Sequence, residues 1–219
     1  MNLTIIIGEN KNIWDKNLTS ELFDLLYDNP FVQNWERMKI GLEVEIVINP
    51  DKKEAIKRFC DYKGEFSASF ETKEAELIVS RLNNSNKISM SMHEQLLLDS
   101  KHKLFLNFML QITKTLPKFR RLTGMADYDY NELYEKHNLE LVKCCGILKL
   151  SWVHVIARSE YEGIVSKTDL LATPAFSVKE IENEAVLIQV YENPFDYENE
   201  TSIEYMRNVT EHLRAKRTW

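Results

Sequence analysis

The chain has 219 residues, of which 44% are hydrophobic, 11% aromatic and 28% charged, a composition that excludes a disordered or low-complexity protein and gives enough apolar mass for a sizeable core. Its formal charge of −6 is uneven: residues 1–178 hold 25 acidic against 23 basic side chains, whereas residues 179–204 hold eight acidic side chains against one lysine. A local negative field of this kind repels phosphate backbones and attracts basic surfaces, so it argues against nucleic acid and for a basic protein partner.

Leu3 to Ile7 is a short apolar run without a basic segment before it, which predicts a first strand and not an export signal. Leu18-Thr19-Ser20-Glu21 predicts a helix start, with Thr19 as cap and Leu22, Leu25 and Leu26 as the buried stripe up to Asn29-Pro30. Leu42, Val44, Ile46 and Ile48 alternate with Glu43 and Glu45, the period of a strand with one exposed face. Asn49-Pro50-Asp51 then opens a helix bearing Ala55, Ile56, Phe59 and Cys60, with Gly64 as its stop.

Residues 66–93 read as an antiparallel meander, in which Phe66-Ala68-Phe70, Leu77–Leu82 and Ile88-Met90-Met92 are separated by turn-forming residues. The longest helix is predicted from about Leu97 to Leu116, with Leu104, Phe108, Ile112 and Leu116 spaced by four and Pro117 ending it. Leu122–Ala126 is a candidate strand and Asn131–Lys136 a helical turn. Gly146–Ala157 is β-prone, residues 159–178 read as a loop, and Ala185–Val190 is a strong strand. Thr201–Arg214 is an amphipathic helix with a Thr201/Glu204 capping box. The pattern as a whole predicts a single α+β domain over residues 1–219, a predominantly antiparallel sheet with about four to five helices packed against it.

Chemistry-bearing motifs are scarce. The six glycines form neither GxGxxG nor GxxxxGK, and no GxSxG elbow occurs. His93, His102, His137, His154 and His212 are scattered without a nucleophile at a suggestive spacing and read as structural or surface residues. Asp127-x-Asp129-x-Asn131 opens like a calcium loop, but Glu132 stands where glycine is needed and Asn138 where a bidentate glutamate is needed. No catalytic residue, metal ligand or cofactor is therefore assigned. Cys60, Cys144 and Cys145 are an odd number without CxxC spacing, which suits a reducing, cytoplasmic interior, and no stretch is apolar for long enough to cross a membrane. The adjacent pair Cys144-Cys145 has redox potential in principle, yet no sequence neighbour plainly lowers a thiol pKa. Lys114, Lys118, Arg120 and Arg121 form the one basic cluster and read as helix C-terminal charges complementing the dipole.

Two segments invite a partner. Asp127–Glu135 interleaves Tyr128, Tyr130 and Tyr134 with acids, a composition favoured at interfaces. Glu192-Asn193-Pro194-Phe195-Asp196-Tyr197-Glu198-Asn199-Glu200 joins the last strand to the last helix and carries more acids than capping requires.

The stretch Ala185-Val-Leu-Ile-Gln-Val-Tyr-Glu-Asn-Pro-Phe-Asp-Tyr-Glu-Asn199, followed by a helix containing Tyr205 and Arg207, resembles the terminal segment of immunity protein family fifty-two of bacterial polymorphic-toxin systems. The order of the preceding elements is similar too, from a first strand through an early helix, Phe31–Trp35, a strand meander and a long helix to a Trp-containing region. Where that family carries a glycine pair before the last strand, this chain has Asn183-Glu184. The resemblance implies a non-enzymatic, cytoplasmic immunity protein that neutralises a cognate toxin with a basic surface, a nuclease for example, by stoichiometric binding. The candidate partner-binding residues are Asp127, Tyr128, Asp129, Tyr130, Asp196, Tyr197, Glu198 and Glu200. The alternatives are a metal-dependent enzyme using Asp127 and Asp129, with His137 beside them, or a scaffold that self-associates through a sheet edge. Oligomeric state is left open by the sequence.

Overall fold

The computed structural model describes residues 1–7, 14, 16–32, 34–41, 45–62, 66–81, 86–97, 101–116, 119–126 and 130–218. The chain divides into two compact units, residues 2–119 and 120–219. Each is a twisted antiparallel sheet carrying helices, so the α+β class with predominantly antiparallel strands holds.

In residues 2–119 the elements are β1 (Asn2–Ile7), α1 (Lys16–Tyr27), β2 (Arg37–Ile40), β3 (Glu45–Ile48), α2 (Lys52–Asp61), β4 (Phe66–Glu71), β5 (Ala75–Arg81), β6 (Asn86–Met92) and α3 (Lys101–Thr115). The strands are ordered β3-β2-β4-β5-β6-β1, with the expected meander β4-β5-β6 at the centre and β1 antiparallel to β6, Leu3 opposite Met90. One sheet face is apolar, from Met38, Phe70, Leu77, Val79, Ile88 and Met90, all essentially inaccessible. An aromatic cluster fills it: Phe23 of α1 lies 5.3 Å from Phe59 of α2 and 5.5 Å from Phe70 of β4, at the tilted and edge-on angles that ring quadrupoles favour.

Several local expectations change in this unit. Helix α1 begins a turn earlier than predicted and swallows Thr19, which is fully buried in its interior rather than capping it. Asp51 caps α2, accepting the Glu54 N–H at 2.8 Å, while Gly64, the expected stop, lies outside the described residues. Leu104 is 55% exposed, because the inward stripe of α3 is Phe105, Phe108, Met109 and Ile112. The largest change is on β3. Pairing with β2 sets Val47 opposite the buried Met38, so Ile46 and Ile48 fall on the face of Lys39 and Arg37, 55% and 62% exposed. Leu42 and Val44, which share their parity, lie outside the described residues.

Residues 120–219 follow β7 (Phe119–Met125) with α4 (Tyr130–Lys136), β8 (Val153–Ile156), α5 (Arg158–Tyr161), α6 (Lys167–Leu171), β9 (Ser177–Glu180), β10 (Val186–Gln189) and α7 (Glu200–Lys216). The strand order is β7-β8-β10-β9, antiparallel throughout, and β8 is buried on both faces. The strand in the β-prone stretch is thus confined to four residues, preceded by a tight turn that bridges Cys144 and Ile147. The expected loop 159–178 contains two short helices. Ser166 starts the second by accepting the Asp169 N–H at 3.0 Å. Trp152 is wholly buried, and its carbonyl accepts the Val190 N–H at 2.8 Å while its indole reaches the Glu192 carbonyl at 3.3 Å, fixing the exit of β10.

Before β10 the backbone makes an unusual turn: Asn183 and Glu184 have φ of +59° and +58°. Left-handed conformation suits glycine, is tolerated by asparagine and costs other residues about 1–2 kcal/mol. The backbone at these two positions therefore favours glycine. The Tyr161 hydroxyl donates to the Glu184 carbonyl at 2.9 Å and holds that conformation. Glu184→Gly is expected to be more stable than Glu184→Ala by about 1 kcal/mol, since both lose the carboxylate and only alanine keeps the left-handed cost. Urea midpoints of the two variants check this, and equal midpoints would show the turn to be unstrained.

Candidate partner-binding surface

The connection from β10 to α7 is built from local hydrogen bonds. Tyr191 is buried, and Asn193 Oδ1 accepts the Phe195 N–H at 3.1 Å in an Asx turn around the buried Pro194. The Asp196 N–H donates to the Asn193 carbonyl at 3.0 Å and the Asn199 N–H to the Asp196 carbonyl at 3.1 Å. Asn199 then caps α7, its side chain accepting the Thr201 N–H at 2.9 Å. The cap is therefore Asn199 and not Thr201, and Glu200 sits in the first turn, where the helix dipole favours a carboxylate. Ile203, Met206, Val209 and Leu213 form the inner face of α7.

The acid-rich stretch does not present all its carboxylates freely. Glu180 is held by Lys167 at 2.8 Å, Glu184 by Arg158 at 2.5 Å, and Glu198 by Lys136 at 2.8 Å. The hydrogen bonds from Arg158 and Lys136 hold the carboxyls of Glu184 and Glu198 below their usual range. These three charges are matched by the protein's own cations.

A smaller set remains. Glu192, Asp196, Glu200 and Glu204 are exposed, and so is Glu211 further along α7. Among the described residues, none of these five carboxylates is engaged by an ion pair or a side-chain hydrogen bond. At 100° per residue, Glu200, Glu204, Asn208 and Glu211 lie within an arc of about 80° on the outer side of the helix. Arg207 lies about 20° outside this arc, beside Glu200, and its guanidinium donates to the His137 carbonyl at 3.1 Å. Arg214 pairs with Glu140 and Lys216 with Asp169. The outward charge of the front half of α7 is consequently negative. Glu211 escaped the sequence reading, although its spacing from Glu200 and Glu204 places it on their stripe.

The second predicted segment is described only in part. Asp127, Tyr128 and Asp129 lie outside the described residues. Tyr130 opens α4 half-buried. Tyr134 is buried, and its hydroxyl accepts the Leu150 N–H at 2.6 Å, so one of the interleaved tyrosines supports the fold. Burial pushes the Tyr134 phenol up to about 12, which keeps it neutral. Tyr197 is half-buried beside Asp196.

Of the basic cluster, Lys114 does lie in the last turn of α3, but the arginines do not belong to a helix terminus. Arg120 and Arg121 belong to β7 and flank the buried Glu160 at 2.5 and 3.9 Å, while Lys118 lies outside the described residues. Among the described residues no group of three or more His, Cys, Asp or Glu is arranged to hold a metal, and no helix is long and apolar enough to cross a membrane.

No protein-family model matches the chain, and no curated protein matches it. Among solved structures it is similar in fold to the Pseudomonas aeruginosa T6SS protein PA0821, with a TM-score of 0.59 over 97% of this chain and 82% of that one, at 7% sequence identity.

Proposed function

We propose that this protein is an immunity protein, which binds a cognate bacterial toxin stoichiometrically and neutralises it, presenting the acidic face at the start of α7 to a basic toxin surface. The observation that carries the reading is the set of exposed carboxylates, Asp196, Glu200, Glu204 and Glu211, that no cation among the described residues matches. Unsatisfied like charges gathered on one helix disfavour the free state slightly and become favourable only against a cation-rich partner. Two further observations support it. The fold resembles that of a T6SS protein, and the segment 185–199 resembles the terminal segment of immunity family fifty-two, from which Asn183-Glu184 departs.

Within this reading Asp196 and Glu200 are the central contacts, with Tyr197 next to them in sequence, and Asp127, Tyr128, Asp129 and Tyr130 are the further candidate contacts. Glu198 acts through its pair with Lys136. The test is co-expression with the toxin domain encoded beside the gene. Restored growth and a complex of defined stoichiometry on gel filtration are expected. Persistent toxicity without a complex, at confirmed expression of both chains, would overturn the proposal.

Self-association is a second reading favoured by a specific observation. β3 is the edge strand of its sheet and shows Ile46 and Ile48 outward. Antiparallel pairing of two copies about Val47 would set Ile46 opposite Ile48 twice on one face. A monomer in sedimentation at high concentration would eliminate it, and a dimer that survives Ile46→Lys would eliminate β3 as its contact.

A further inference from the structure

Cys144 and Cys145 stand at a turn whose backbone brings adjacent side chains together. The Cys144 N–H donates to the Ile147 carbonyl at 3.1 Å and the Ile147 N–H returns to the Cys144 carbonyl at 2.7 Å, closing a two-residue hairpin turn over Cys145 and Gly146. Both turn residues have positive φ, +49° and +69°, as does Lys143 before them at +52°. Neighbouring side chains in extended chain point to opposite sides. Here the left-handed Cys145 rotates its thiol back, and the two Sγ atoms lie 3.5 Å apart. Glycine would occupy position 145 without the left-handed cost that cysteine bears, and strain retained in this way marks positions with a task.

The turn is clamped at both ends by arginines from elsewhere in the sequence. Arg121 Nη1 donates to the Gly146 carbonyl, and Arg217 Nη1 donates to the Lys143 carbonyl at 2.8 Å. A side chain at Gly146 would collide with the Arg121 guanidinium. The two thiols are each only 2% exposed, whereas Cys60 is exposed.

We propose that Cys144 and Cys145 are a two-electron redox pair, which hydrogen peroxide closes into a disulfide between adjacent residues. The thiols are inequivalent. The hydrogen bond from Cys145, joined by the positive charge of Arg217, pulls the Cys144 thiol down against the effect of burial. Cys145 is driven up by that same hydrogen bond and by its burial, with the negative charges of Cys144 and Glu160 adding to the effect. Cys144 is thus the nucleophile and Cys145 the resolving thiol.

In the first step the Cys144 sulfur attacks one peroxide oxygen and the O–O bond breaks. The departing hydroxide takes up the thiol proton as water and leaves Cys144 as a sulfenic acid. In the second step the Cys145 sulfur attacks the Cys144 sulfur and the S–O bond breaks. The hydroxide released takes the Cys145 proton as a second water. Two thiols are oxidised by two electrons and one peroxide is reduced to two waters. Burial closes the thiols to bulky disulfides, and the clamped backbone holds the resolving thiol in place, so internal closure outruns mixed-disulfide formation.

The full chain is treated with stoichiometric hydrogen peroxide, denatured, blocked with N-ethylmaleimide and digested. The peptide containing residues 144 and 145 is expected to be lighter by two hydrogens and unlabelled, and to take two labels after reduction. Cys60→Ser should leave this unchanged, and Cys145→Ser should expose a Cys144 sulfenic acid to dimedone. Two labels on the unreduced wild-type peptide, under conditions that oxidise Cys60 fully, would overturn the proposal whether or not the variants fold. So would direct conversion of Cys144 to sulfinic acid without closure. Closure by glutathione disulfide as fast as by peroxide would overturn the assignment of the oxidant.

Discussion

Lowering the pH from about 6.5 to about 3 is expected to destabilise residues 120–219 through one buried imidazole, His154. This side chain is fully buried on β8, where its Nε2 accepts the Ser151 N–H at 3.0 Å and lies 3.3 Å from the Ser151 hydroxyl. Protonating Nε2 would set two donors head to head and place a cation in an apolar strand near the Arg121 guanidinium. Burial, and secondarily that guanidinium, push the imidazole down to about 3. The sign follows from linkage. Between the two values the unfolded chain binds a proton that the folded protein refuses, so stability falls as pH falls, with a limiting slope of about 1.4 kcal/mol per pH unit. Above the ordinary histidine value the effect vanishes, because neither state is protonated. His154→Gln keeps an acceptor for the Ser151 N–H and removes the titration. Its urea-unfolding free energy should therefore depend less steeply on pH over this window, and parallel pH profiles for the variant and the wild type would show that other groups dominate.

His154 also shows where sequence reading stops. Its structural role was legible from the absence of a partner nucleophile, but its depth was not, because β8 is an interior strand between β7 and β10 and is buried on both faces, which long-range packing decides. Elements defined by local pattern were readable: the β4-β5-β6 meander, β10 and α7 occur where periodicity put them. Features set by pairing were not. The exposed side of β3 is decided by register against β2, which aligns Val47 with Met38, and nothing within Leu42–Ile48 encodes that choice. Caps shifted for a related reason, since Asn199 and Thr201 offer similar chemistry and the buried positions of α7 select between them.

The candidate surface divides in the same way. The excess of acids in residues 179–204 is plain in the sequence, but Lys136, Arg158 and Lys167, which neutralise three of them, come from outside that stretch. The Cys144 thiol is lowered first by the hydrogen bond from Cys145, which depends on the left-handed turn, and then by Arg217, which is distant in sequence, so the pair looked inert from the sequence. Charge clusters along a chain are therefore upper limits on charge clusters in space. Subtracting the ion pairs among the described residues leaves Glu192, Asp196, Glu200, Glu204 and Glu211 as exposed, unengaged carboxylates.

Reversing three of those charges, Asp196→Lys, Glu200→Lys and Glu204→Lys together, is expected to slow association with the toxin about 10- to 100-fold at low ionic strength. Long-range attraction acts before contact, so the loss should fall mainly on the association rate and shrink at about 1 M salt, where the screening length is near 3 Å. Glu200 also faces the positive end of α7, and its reversal costs the helix about 0.3–1 kcal/mol, which a melting curve monitors independently. Net charge alone is a competing cause. The control is therefore an equal reversal at the exposed Glu21, Asp28 and Glu74 of residues 2–119. If the acidic face of α7 steers the encounter, the control triple slows association much less than the α7 triple. Equal slowing by both would assign the effect to overall charge and remove this face from the proposed mechanism, while leaving neutralisation itself to be judged by the co-expression experiment.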